Sequence, residues 1–129
     1  MTIVVGYVPT PEGNAALERA VQEARARQGD LVVVDLSRHE RNDPSELEAR
    51  AAELAGGDVR FQTQGVEDGK DSVDTILAVA VEHDADLLVI GLRRRTPVGK
   101  LILGAQAQRI LLDAACPVLA VKPDVSQRD

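Results

Sequence analysis

Aromatic side chains are nearly missing from this chain, which has one Tyr, one Phe and no Trp among 129 residues. Stacking platforms for single-stranded nucleic acid need several exposed rings, so the composition rules against that function. Cysteine occurs once. An internal disulfide framework is therefore impossible, and a reducing compartment is allowed. Apolar runs are short: the longest, residues 76–81, has six members, against the roughly 20 needed to span a bilayer. Positive charge is in deficit, with 15 Lys and Arg against 21 Asp and Glu, a net charge of −6 and a pI of about 4.9. Such a balance suits neither nucleic acid nor an anionic membrane as partner. Met1 and Thr2 lead directly into Ile3, Val4 and Val5 with no basic start, so no targeting segment is expected. The expectation is a soluble, cytoplasmic protein.

What is present has the proportions of one domain. At 13.8 kDa, a chain buries roughly two thirds of the surface it exposes when unfolded, enough for a core without staples. Residues 1–123 read as a single domain, followed by a polar tail at 124–129. Along it, short apolar runs alternate with segments of helical period. Residues 3–7 form a β-branched run of the kind buried on both faces of a sheet. Between 14 and 28, Leu17, Ala20, Val21 and Ala24 recur at helical spacing, with Glu18, Arg19, Gln22 and Glu23 between them. A second strand is expected at 31–36. Asp43, Pro44 and Glu46 then have the cap, first-turn proline and acid of a helix start. Its buried stripe is Leu47, Ala51 and Leu54, and Gly56 with Gly57 ends it.

A weaker strand follows at 59–64. Asp71 or Ser72 caps a third helix, with Val73, Ile76, Leu77 and Ala80 inward. A fourth strand occupies 87–90, and an unusual loop runs from 91 to 103. A fourth helix, about 104–115, turns Ala107, Ile110, Leu111 and Ala114 inward, and a last strand spans 118–121. Five strands alternating with four helices specify an α/β fold with a doubly wound, mainly parallel five-stranded sheet. The strand order expected is 3-2-1-4-5, the first strand lying at the centre. In such sheets ligands bind outside the carboxyl ends of the strands, where the chain reverses direction across the sheet. Two segments qualify: 7–10 after the first strand and 91–106 after the fourth.

The second segment reads Gly-Leu-Arg-Arg-Arg-Thr-Pro-Val-Gly-Lys-Leu-Ile-Leu-Gly-Ala from Gly91 to Ala105. Gln108, Arg109, Ile110 and Leu111 follow, then the stretch 115–121. With the first strand and residues 85–91, this resembles the universal stress protein family over nearly the whole chain. The family's nucleotide motif is Gly, two residues, Gly, nine residues, Gly, then Ser or Thr, and Gly91 and Gly104 match its outer glycines. The resemblance implies a nucleotide-hydrolase-like α/β fold, a role in stress response, and a homodimer paired antiparallel through an edge strand running from Pro117 to Val121. It also implies a nucleotide site: glycines admit backbone N–H groups to phosphate oxygens, and a helix N-terminus adds partial positive charge.

This chain departs from that pattern at each functional position. Arg94 stands at the middle glycine, Ala105 at the hydroxyl residue, and Val8 where the family has an aspartate for the ribose. ATP is therefore disfavoured as a ligand. Arg93, Arg94, Arg95 and Lys100 crowd four positive charges into the same loop. They point either to a small anion held by side chains or to a solvated loop. The degenerate site comprises Val8, Thr10, Asp35, Gly91, Arg94, Gly99, Gly104, Ala105 and Gln106, with Asp35 placed at the end of the second strand.

Elsewhere the candidates are weak. Cys116 reads as a small buried residue, Asp84 and Asp86 lie at the wrong end of the fourth strand, and His39 and His83 are too far apart for a metal site. No metal is expected. Three functions stay open. The first is a non-catalytic stress-response homodimer binding an anionic small molecule. The second is an ATP-binding member using Arg94 and the backbone between Gly99 and Gly104. The third is a small hydrolase or phosphotransferase relying on Thr10 and Asp35.

Overall fold

The computed structural model describes residues 1–37, 45–93 and 103–123. Nine elements follow one another: β1 (Thr2–Tyr7), α1 (Pro11–Arg27), β2 (Asp30–Asp35), α2 (Ser45–Ala55), β3 (Phe61–Gln64), α3 (Ser72–Glu82), β4 (Leu87–Gly91), α4 (Ala105–Asp113) and β5 (Val118–Val121). The strands form one sheet in the order β3-β2-β1-β4-β5, and every neighbouring pair is parallel. Val5 at the centre lies between Val33 of β2 and Val89 of β4. The expected α/β class and strand order are those observed.

The run of β-branched residues in β1 is explained by helices on both faces. Alternate side chains enter opposite layers. Ile3, Val5 and Tyr7 pack with Leu17, Ala20, Val21 and Ala24 of α1 and with Leu47 of α2. Val4, with Val32 and Val34 of β2, meets Val73, Ile76 and Val79 of α3 and Ile110 of α4. Arg25 ties the first layer together. Its guanidinium donates to the Asp58 carboxylate and to the carbonyls of Leu54 and Ala55, satisfying acceptors at the C-terminus of α2.

Several element ends differ from the expected ones, each for a local reason. α1 begins at Pro11, three residues before its apolar period, because the Thr10 hydroxyl accepts the Gly13 N–H at 3.1 Å and Pro11 suits the first turn. β2 spans Asp30–Asp35, one residue earlier than expected, and β3 starts only at Phe61. Asp71 is the cap of α3, accepting the Asp74 N–H at 2.9 Å. The helix-start residues Asp43 and Pro44 lie outside the described residues.

α4 is the largest correction. It ends at Asp113, only Ile110 is fully buried, and Leu111 is 38% exposed. Ala107, Ile110 and Ala114 pack against the core as a single inward row, as expected, and Leu111 lies outside it. Leu77 of α3 is likewise only half-buried, and Val79 takes the inward position. No helix among the described residues is long and apolar enough to cross a membrane.

Candidate functional site

Because all five strands are parallel, Tyr7, Asp35, Gln64, Gly91 and Val121 end them on one edge of the sheet. The order places β1 beside β4, so the chain departs in opposite directions after these two strands. A crevice of about 390 Å3 opens between their ends. Gly6 and Ile90 form its floor, with Leu36 and Ile110 as apolar flanks. The β1–α1 turn contributes Val8, Glu12 and Gly13, and Arg93 lies just beyond β4.

Two glycines make this architecture possible. A Cβ on Gly13 would overlap the Val8 carbonyl oxygen, and one on Gly91 would overlap the Glu12 carbonyl oxygen. The first turn of α1 therefore packs main chain to main chain against the end of β4. Any side chain at 91 would force these segments apart.

The opposite wall is the start of α4. Gly104 is its N-cap, extended at φ −71° and ψ 169°, and has no side-chain capping bond. The helical ladder begins when the Gln108 N–H donates to the Gly104 carbonyl at 3.0 Å. The preceding amides, on Ala105, Gln106 and Ala107, have no acceptor within the helix, and all three residues line the crevice. This wall favours negative charge through its N–H groups and the helix dipole.

Val8, Gly91, Gly104, Ala105 and Gln106 thus meet in one crevice. Thr10 does not join them. Its hydroxyl is the cap of α1, and its carbonyl accepts the Asn14 N–H. Asp35 also lies elsewhere: it lines a separate groove on the α1–α2 face, with Tyr7, Asn14 and Arg50. There it accepts from the Ser37 N–H at 3.0 Å and from the Ser37 hydroxyl at 2.6 Å. Leu36, the next residue along, faces the crevice in its place. Arg94 and Gly99 lie outside the described residues, as do Arg95, Lys100 and His39. The residues missed by sequence reasoning include Gly6, Glu12 and Leu36. Their signal was confined to adjacency with the two strand ends.

Titratable groups away from the crevice have structural surroundings. Burial pushes the Tyr7 hydroxyl above its usual range, with Arg50 opposing the shift. The Cys116 thiol is half-buried and likewise pushed up, by desolvation first and by Asp86 second. A raised thiol pKa disfavours the nucleophilic thiolate. Asp86 holds the Thr2 N–H at 3.0 Å at the amino edge of the sheet. Among the described residues, no group of three or more His, Cys, Asp or Glu is placed to hold a metal ion.

Comparison with known proteins agrees over nearly the whole chain. A family model described as the universal stress protein family matches residues 1–122. A universal stress protein of Mycolicibacterium smegmatis is 41% identical over 127 residues, covering 94% of this chain and 97% of its own. Among solved structures, the universal stress protein from Archaeoglobus fulgidus is 30% identical with a TM-score of 0.74, covering 95% of this chain and 98% of that one. A structure of the universal stress protein from Archaeoglobus fulgidus in complex with dAMP is 26% identical with a TM-score of 0.70, over the same shares of the two chains.

Proposed function

The chain belongs to the universal stress protein family, and from that membership we propose a non-catalytic, cytoplasmic stress-response protein. In this reading it is a homodimer whose carboxyl-edge crevice holds a small ligand carrying a single phosphate, of the nucleoside monophosphate class. The observation that carries the reading is the crevice itself. Three residues at the start of α4, whose amides have no helical acceptor, line it beside the ends of β1 and β4, within a volume of the size that small-molecule sites occupy. The related chain in complex with dAMP supports a monophosphate as the ligand class.

The same lining supports the reading against ATP. Ala105 offers no hydroxyl to a phosphate and Val8 no side-chain acceptor to a ribose, so a nucleotide is held chiefly by the α4 amides. These serve one phosphate and leave the further phosphates of ATP without a hydroxyl donor among the described lining. The ATP reading through Arg94 and Gly99 depends on residues outside those described. A hydrolytic reading relied on Thr10 and Asp35. The first is engaged as a helix cap and the second lies in another groove. Calorimetry with AMP and with Mg-ATP tests the proposal. AMP is expected to bind, and Mg-ATP to bind more weakly. Tight Mg-ATP binding, or steady phosphate release from it, would sink it.

A further inference from the structure

The crevice contains one acid that the reading above leaves unused. Glu12 is the only Asp or Glu in its described lining, is half-buried, and belongs to the first turn of α1. The root of this side chain is fixed. A Cβ built on Gly91 would overlap the Glu12 carbonyl oxygen and would stand 3.1 Å from the Glu12 Cβ, so the residue is seated against the end of β4. Among the described residues nothing neutralises it. Arg93 lines the same crevice but forms no ion pair with it, and no described side chain donates to its carboxylate.

We propose that Glu12 is a selectivity residue, setting this crevice for nucleotides with one phosphate and against those with two or three. The inference rests on the crevice being the site of a phosphate-bearing ligand. A fixed negative charge repels a bound anion in proportion to that anion's own net charge, whatever protein cations it meets elsewhere in the site. A triphosphate carries roughly twice the charge of a monophosphate, so Glu12 costs it about twice as much. Half-burial makes the charge effective, because solvent screens it less than at an open surface. The amides at the start of α4 still attract one phosphate across the crevice, so the acid discriminates without closing the site.

The test is Glu12→Gln, which keeps the shape and removes the charge. Affinities for AMP, ADP and ATP are measured by calorimetry at low salt, once in EDTA and once in excess Mg2+. The expected result in EDTA is a rise in ATP affinity of roughly tenfold, a smaller rise for ADP, the smallest for AMP, and a fading of the difference at high salt. In excess Mg2+, which roughly halves the charge of ATP, its gain falls to about that of AMP. A gain of affinity cannot arise from misfolding. Glu12→Asp, which retains the charge, is expected to keep the parent's preference. An unchanged AMP-to-ATP ratio for Glu12→Gln in EDTA overturns the inference while leaving the site reading intact. A loss of ATP affinity confined to the Mg2+ series also overturns it, because the carboxylate would then be holding the metal. If the parent and both variants take up none of the three nucleotides, the inference falls together with the reading it rests on.

Discussion

Ala105 is the position at which one hydroxyl would change the most. It is the first residue of α4, it is exposed, and its amide has no helical acceptor. A serine there needs no repacking and adds an O–H donor on the anion-facing wall. A hydrogen bond to a charged group contributes about 1.5–3 kcal/mol, so Ala105→Ser is expected to tighten AMP binding roughly ten- to a hundredfold by calorimetry. No gain would mean that the phosphate does not sit at this helix start. Motif spacing alone brought Gly91, Gly104, Ala105 and Gln106 to one place, because a glycine-rich loop before a helix is a local pattern. Glu12 had no such signal. An acid in a first helical turn reads as a complement to the helix dipole. It becomes part of a site only when Gly91 lets α1 press against β4.

Among the helices, α4 has the fewest fully buried residues, Ile110 alone, and Arg109 compensates. Its guanidinium reaches Asp71 at 3.0 Å and also bonds Asp74, joining α4 to the N-cap of α3. Asp71 accepts both the Asp74 N–H and Arg109 on the same oxygen. Its carboxyl is held below the usual value of 3.8, first by that backbone bond and then by Arg109. A carboxyl with a lowered folded-state pKa contributes stability above its unfolded value, and that contribution is lost as pH falls through the folded value. Arg109→Ala is therefore expected to speed hydrogen exchange of the α4 amides at neutral pH, with β1 unaffected. The difference from the parent should close as pH drops below 3.8, where the clamp is already failing. Equal exchange in α4 at neutral pH would show that Ile110 alone holds the helix.

At the scale of the molecule, β5 is an edge strand paired only with β4. Leu119 and Val121 pack toward the α1 layer, and Val118 and Ala120 toward α3 and α4. All four are half-buried, which leaves main-chain donors and acceptors along an apolar edge. Such an edge favours pairing with another strand, and a twofold dimer closes it with one interface. Sedimentation is expected to give a species of about 28 kDa, twice the 13.8 kDa chain. A monomer at all accessible concentrations would refute this.

The alternation of apolar runs with helical periods determined the fold class, because strand and helix periods are local properties of the chain. Connection rules narrowed the strand order to a few arrangements, of which 3-2-1-4-5 with the first strand central is the one expected. The glycine spacing likewise marked one wall of the crevice from sequence. What only the tertiary structure decided was which neighbours fill the rest. Thr10 and Asp35 lie at the predicted strand ends, yet one hydroxyl is used by a helix cap and one carboxylate by a turn. Leu36 replaces Asp35 because it follows directly on β2, donating its N–H to the Tyr7 carbonyl. Successive residues of an extended chain point to opposite faces, so a step of one residue exchanges an acid for an apolar side chain. Glu12 enters because two backbones touch where a glycine permits it. Contacts between residues this far apart depend on packing, and no local period encodes them.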